Sequence, residues 1–169
     1  MQLGITQLGP HTGKHIVFGY DHHGLPEVDA YVESLARYGL VLSAAQGEQP
    51  HYLTSTERVC ERVRGRADAV GVLLCSTGMG VSIAANKFSG VYAARCLSVD
   101  DATMARQINN CNVLCLALRS GRELNAEIIT AFMTTAYEGR KLEQLSRITM
   151  FEHDLVPVEP ARARALKSV

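Results

Sequence analysis

Residues 69–87 read AVGVLLCSTGMGVSIAANK. An apolar run ends in Cys75, a Gly-x-Gly turn follows at Gly78 and Gly80, and small and aliphatic residues continue beyond it. The run is continuously apolar rather than alternating, which is the pattern of a strand covered on both faces. A strand, a glycine turn and a helix in direct succession form the unit from which parallel α/β sheets are wound.

Four further runs share this character: Ile16–Gly19, Leu40–Ser43, Val91–Cys96 and Val113–Leu118. Helical patterns separate them. Pro26–Tyr38 places Val28, Tyr31, Val32, Leu35 and Tyr38 on one face, begins with proline in its first turn and stops at Gly39. Others are expected from about Pro50 to Arg64, after Gly78 and Gly80, after Asp100–Asp101, from the Ser120-x-x-Glu123 capping pattern through Met133, and from Tyr137 to about Phe151. The expectation is an α/β fold: a single-domain, doubly wound (Rossmann-like) five-stranded parallel sheet with helices on both faces and a C-terminal helix. It assigns residues 1–15 to an N-terminal extension, 16–152 to the domain and 153–169 to a tail. In such sheets the ligand crevice lies at the carboxyl ends of the strands. The loops Tyr20–Gly24, Cys75–Gly80, Arg95–Asp101 and Arg119–Arg122 are therefore the places to look for chemistry.

Composition narrows the class. The 169 residues are 47% hydrophobic and 20% charged, enough to bury a core. Lys plus Arg equals Asp plus Glu, 17 against 17, so no basic field draws nucleic acid or an anionic membrane. No apolar run approaches the ~18 residues of a membrane span, and the N-terminus lacks a signal-peptide pattern. Five cysteines without a CxxC pair point to a reducing, cytoplasmic compartment rather than a disulfide framework. Cys111 and Cys115 have no histidine or acidic partner at zinc-ligand spacing, so no metal is expected.

Two clusters could carry chemistry. The turn Cys75–Gly80 can gather several backbone N–H groups at a helix start, a nest for a phosphate or a developing oxyanion, or simply a structural turn. It is neither a Rossmann fingerprint, since Ile83 stands at the third small position, nor a P-loop. Beside it Cys75 is either a nucleophile or base favoured as thiolate, or an inert buried thiol. Tyr20-Asp21-His22-His23-Gly24 ends the first strand. It reads equally as acid/base or ligand-positioning apparatus and as a helix cap with solvated histidines.

FGYDHHG, LLCSTGMGVSIAANKFSGVYAA, RQINNCNVL and the YEG stretch together resemble type B ribose-5-phosphate isomerases and the related galactose-6-phosphate and tetrose-phosphate isomerases, in order from about Ile16 to Ile148. The resemblance implies cofactor-free, metal-independent aldose–ketose isomerisation through a cis-enediolate, with ribose 5-phosphate of the pentose phosphate pathway as default substrate. It makes Cys75 the proton-carrying base and Thr77 its partner in polarising the carbonyl or shuttling the hydroxyl proton. The turn Gly78, Met79 and Gly80, with Ser82 behind it, would hold the enediolate oxygen. Asp21 would hold substrate hydroxyls, His22 would face the phosphate or ring end, and Arg119, Arg140 and Lys141 would contact phosphate. It also implies a homodimer or homotetramer with shared sites, Asn109 reaching a neighbour's site, and a phosphorylated sugar as the small-molecule partner.

Four departures stand out. Ile108 replaces the family's ring-opening histidine, Ser76 a glycine, Gln49-Pro50 a Tyr-Pro pair, and the phosphate clamp reads Glu138-Gly139-Arg140-Lys141 with Leu145 at its second arginine. They leave room for a different sugar phosphate, a tetrose 4-phosphate or galactose 6-phosphate. They also leave room for a non-catalytic phosphosugar-binding paralogue or subunit, although such a protein would have no reason to retain Cys75 beside the nest.

Overall fold

A computed structural model describes residues 8–152 of the chain. Five parallel strands, β1 (His15–Tyr20), β2 (Val41–Ser43), β3 (Ala69–Cys75), β4 (Ala93–Arg95) and β5 (Val113–Ala117), form one sheet in the order β2-β1-β3-β5-β4. The helices are α1 (Val28–Ala36), α2 (Tyr52–Val63), α3 (Met79–Ala85), α4 (Val99–Gln107), α5 (Arg122–Thr134) and α6 (Leu142–Phe151).

The order follows from burial. β3 and β5 are buried along their whole length, as their unbroken apolar sequences require, and occupy the middle with β1. One face packs Ile16, Phe18, Val72, Leu74, Leu114 and Leu116 against Tyr31 and Leu35 of α1, Ala102 of α4 and Ile128, Ile129 and Phe132 of α5. The other packs Val17, Leu73, Val113 and Cys115 against Val59, Cys60 and Val63 of α2 and Val81 and Ala85 of α3. Each fully buried aliphatic side chain contributes about 1.5–3 kcal/mol.

The expected doubly wound sheet is present, with corrections at the boundaries. Val91–Cys96 yields only Ala93–Arg95 as strand, at an edge, and β2 is an exposed edge rather than a strand covered on both faces. The first helix starts two residues after Pro26, which lies inside a 3-10 turn, His22–Glu27. The Ser120 capping box does not form: Gly121, whose φ of 85° suits glycine, sits at the N-cap of α5 and gives no side-chain cap. A reciprocal cap forms instead at α4, where Ser98 Oγ accepts from Asp101 N–H (3.1 Å) and Asp101 Oδ2 accepts from Leu97 N–H (2.9 Å). That helix therefore starts at Val99, before the two aspartates. The last helix begins at Leu142, not Tyr137, because Gly139 (φ 75°) and Lys141 (φ 57°) adopt left-handed backbone that a right-handed helix cannot include.

Residues 8–14 of the extension lie against the domain: His11 N–H donates to Met133 O (2.8 Å) and Gly13 N–H to Tyr38 O (2.7 Å). The tail 153–169 falls outside the described residues.

Candidate active site

From β1 the chain goes one way to β2 and then crosses back to β3, so the strand order reverses between β1 and β3. A crevice opens at the carboxyl ends of two such strands. β1 delivers Tyr20 and Asp21 there and β3 delivers Cys75. The two ends are joined by Asp21 N–H donating to Leu74 O (3.3 Å). β5 brings a third loop: Arg119 N–H donates to Ser76 O (3.3 Å). Asp21, Cys75–Gly80 and Arg119, singled out from the sequence, thus meet at one end of the sheet.

Cys75 is buried, and its Sγ accepts a hydrogen bond from Gly78 N–H at 3.1 Å. Gly78 has φ 71°, and a Cβ there would lie 3.2 Å from Leu116 O, so conformation and space both demand glycine. Gly80 is constrained differently, with the Tyr52 ring 3.0 Å from where its Cβ would be. Thr77 Oγ1 accepts from Met79 N–H (3.3 Å), and the exposed Met79 side chain and half-buried Ser82 follow in the first turns of α3.

The other cysteines contrast with Cys75. Cys60 and Cys96 donate from Sγ to the carbonyls of Ala85 and Ala94. Burial pushes the Cys60 and Cys111 thiols up to about 12 and raises those of Cys96 and Cys115 as well. These four are held as neutral thiols; Cys75 alone receives a backbone N–H among the cysteine bonds described.

Asp21 is buried and caps the 3-10 turn, accepting from His23 N–H (3.1 Å), with His23 Nδ1 3.4 Å from Oδ2. His22 and His23 are exposed, their rings 3.9 Å apart, and His22 N–H donates to Pro50 O (2.8 Å). The capping arrangement is therefore present, with the His22 ring exposed and stacked on that of His23. Ser55 Oγ fixes the strand end below it by donating to Tyr20 O (2.7 Å).

Asn109 is placed elsewhere. It precedes β5, at the foot of that strand, and lines a cavity of about 410 Å³ along the edge strand β4 with Asn86, Tyr92, Arg95, Asp101, Leu145 and others, but not Cys75 or Thr77. Arg140 Nε pairs with Glu138 (2.6 Å), and Lys141 opens α6 at a φ of 57°. Both are exposed. Within one chain these three are not gathered around the cysteine turn.

The sequence reading passed over Arg95. Its Nε donates to Thr77 O at 2.7 Å, inside the turn. The signal was present: a charged residue closing the otherwise apolar run Val91–Cys96 at a strand's carboxyl end. Asn86 was also missed. It clasps β4 to α3, with Nδ2 donating to Ala93 O (2.8 Å) and Oδ1 accepting from Ala93 N–H (3.0 Å).

Among the described residues no group of three or more His, Cys, Asp or Glu is arranged to hold a metal ion, and no helix is long and apolar enough to cross a membrane. The profile of the Ribose/Galactose Isomerase family matches residues 16–150. Ribose-5-phosphate isomerase B of Escherichia coli is 36% identical over 147 residues, 82% of this chain and 97% of that protein. D-erythrulose-4-phosphate isomerase of Pectobacterium atrosepticum is 31% identical over 144 residues, 82% and 95% of the two chains. The solved structure of type B ribose 5-phosphate isomerase from Trypanosoma brucei superposes with a TM-score of 0.77 at 34% identity, covering 83% of this chain and 99% of that one. With the cysteine turn at the strand switch and a match along nearly the whole domain, the chain belongs to the Ribose/Galactose Isomerase family and is an isomerase.

Proposed function

We propose that the chain interconverts the aldose and ketose forms of a phosphorylated sugar through a cis-enediolate, with ribose 5-phosphate and ribulose 5-phosphate as the default pair. The observation that carries this is the Cys75 sulfur, set at the end of β3 and accepting the Gly78 N–H. In the forward direction the Cys75 thiolate removes the C2 proton of the open-chain aldose. The electron pair moves through C2–C1 onto the carbonyl oxygen, and the thiol returns the proton to C1 once the C2 oxygen has lost its own. Thr77 sits where a hydroxyl can polarise the carbonyl or relay the oxygen-bound proton. The turn Gly78–Met79–Gly80 supplies the enediolate oxygen with the partial positive charge of its backbone, although its Gly78 and Met79 N–H groups are themselves held by Cys75 Sγ and Thr77 Oγ1, and Asp21 supplies a buried acceptor for substrate hydroxyls. His22 and Arg119 border the crevice at the phosphate end.

Asn109, Arg140 and Lys141 enter this scheme through a second copy of the chain, since each lies away from Cys75 in its own. A homodimer, or a homotetramer built from it, would complete the site in the cytoplasm.

One observation favours a second substrate. By the resemblance, half-buried and apolar Ile108 takes the position of the family's ring-opening histidine, and Leu145, in the lining of the cavity, that of its second phosphate arginine. A tetrose 4-phosphate cannot close a furanose, because its 4-oxygen carries the phosphate, and so needs no ring opening. Its isomerisation uses the same proton transfer.

A panel of tetrose, pentose and hexose phosphates, assayed for ketose formation and for deuterium uptake at C2 in D₂O, tests both. Ribose 5-phosphate turnover supports the default. A kcat/KM for tetrose 4-phosphate higher by ~10²–10⁴, the usual worth of general acid/base help, supports the alternative. Absence of exchange on every sugar refutes the isomerase reading of this site.

A further inference from the structure

Arg95 and Cys75 hold the same peptide bond from opposite ends. The carbonyl of the Thr77–Gly78 peptide accepts from Arg95 Nε at 2.7 Å, and its N–H donates to Cys75 Sγ at 3.1 Å. The aliphatic stem of Arg95 completes the grip, with Cγ 3.3 Å from where a Gly78 Cβ would project. Its base is fixed, because Arg95 ends β4, which Asn86 clasps and which is followed by Cys96 N–H donating to Cys115 O (3.2 Å). Arg95 Nη2 is buried and has no hydrogen-bond partner, so this guanidinium is committed to one carbonyl at the cost of a desolvated N–H.

We infer that Arg95 is a positioning residue for proton transfer: it fixes the orientation of the Thr77–Gly78 peptide and so keeps the Gly78 N–H on the Cys75 sulfur. A charged donor on the carbonyl also polarises the peptide, which strengthens the N–H as a donor at the other end. Gly78, at φ 71°, has no Cβ to restrict rotation about its backbone, so the Arg95 bond is an outside restraint on the peptide that precedes it. Small errors in placing a reacting group cost catalysis steeply, up to ~10²-fold for 1 Å. This inference rests on the reading of Cys75 as the base, but its geometric half can be measured without turnover.

The experiment compares Arg95→Met, which keeps most of the stem and removes the donors, with Arg95→Lys, which restores one cationic donor. Amide hydrogen exchange at Gly78, followed by NMR, reads the restraint directly. In Arg95→Met that amide should exchange at least about tenfold faster while the amides of β3 keep their rates. The kcat for ribose 5-phosphate, or for the best sugar of the panel, should fall about 10–100-fold with KM within threefold, the pattern of a lost transition-state contribution. Arg95→Lys should recover part of both. Gly78 exchange and kcat within twofold of the parent in folded Arg95→Met overturn the inference. If Arg95→Met does not fold, Arg95→Leu takes its place against Arg95→Lys, with the same twofold threshold applied to Arg95→Leu. Should the parent chain turn over no sugar phosphate, the Cys75 reading fails by itself, and the Gly78 exchange rate still decides whether Arg95 restrains the peptide.

Discussion

The two ends of the sheet treat buried polar groups in opposite ways. At the foot of the strands Arg106 is wholly buried, and its donors are spent: Nη1 on Cys111 O (2.6 Å) and Asn110 Oδ1 (3.0 Å), Nη2 on Gly9 O (3.1 Å), Nε on Thr135 O (3.3 Å). Its guanidinium carbon also lies 5.8 Å from the Phe132 ring centroid. His11 joins the network, Nε2–H donating to the same Cys111 carbonyl (3.1 Å) while Nδ1 accepts from Lys14 Nζ (3.2 Å). At the carboxyl ends polarity comes from a turn of small residues, and the side chains of His22, His23 and Arg119 face solvent. A network that spends its groups internally specifies a structure; groups left facing outward are available to a ligand. The difference separates stability from chemistry along one sheet.

Breaking the upper end should have the largest effect. Cys75→Ala is expected to lower kcat by about 10³-fold or more, as loss of the group that carries the proton does, with an unchanged urea midpoint. Deuterium uptake at C2 that survives in this variant would remove Cys75 from the mechanism. Cys115→Ala, which empties a buried site of similar size, should leave turnover near the parent value.

The foot should respond in the opposite sense. Arg106→Met takes the donor from the Gly9 and Thr135 carbonyls and the Asn110 side chain, leaving Cys111 O to His11 alone, and should cost about 3–5 kcal/mol of unfolding free energy, at ~1–3 kcal/mol per orphaned group with partial relaxation. Turnover per folded molecule is expected to hold within a fewfold. A loss below about 1 kcal/mol would mean that the network is not what secures this end.

The pH dependence sharpens the contrast further. Burial, with the nearby charges of Arg106 and Lys14, lowers the His11 pKa from 6.5 to about 3. Between those values the unfolded chain binds a proton that the folded chain refuses, so stability falls as pH drops below 6.5. Between pH 7.5 and 4.5 the parent should lose on the order of 2–3 kcal/mol through this group, and His11→Gln should be flatter by that amount in urea unfolding. Equal pH slopes for the two proteins would exclude His11 as the titrating group.

How much of this was legible in the sequence varies with the kind of interaction. β3 and β5 could be read because a strand covered on both faces has to be apolar throughout, and the topology then placed Asp21 and Cys75 at the switch point. Helix starts were less legible, because a cap is decided by competition. Ser98 and Ser120 both head capping patterns, and the chain uses Ser98 while Gly121, two residues before Glu123, sits at the N-cap of α5. Tyr137–Arg140 reads as helix, but Gly139 and Lys141 turn left-handed there, and the Leu8 carbonyl holds Tyr137 N–H in a contact between residues far apart in sequence. The charge of Arg95 at a strand's end was visible, but its partner was not, since the Thr77 carbonyl lies on another strand's loop. The site seen in one chain also leaves Asn109 facing a cavity without the cysteine.

The outermost strands carry a consequence for how copies of this molecule can meet. β2 and β4 contribute three residues each, against six in β1 and seven in β3. A neighbour that docked edge to edge would gain only a few ladder bonds, too little to template a continuous cross-molecular ribbon. Association therefore has to proceed through helix and loop surfaces. The same shortness guards the folded chain against fibrillar growth at high concentration.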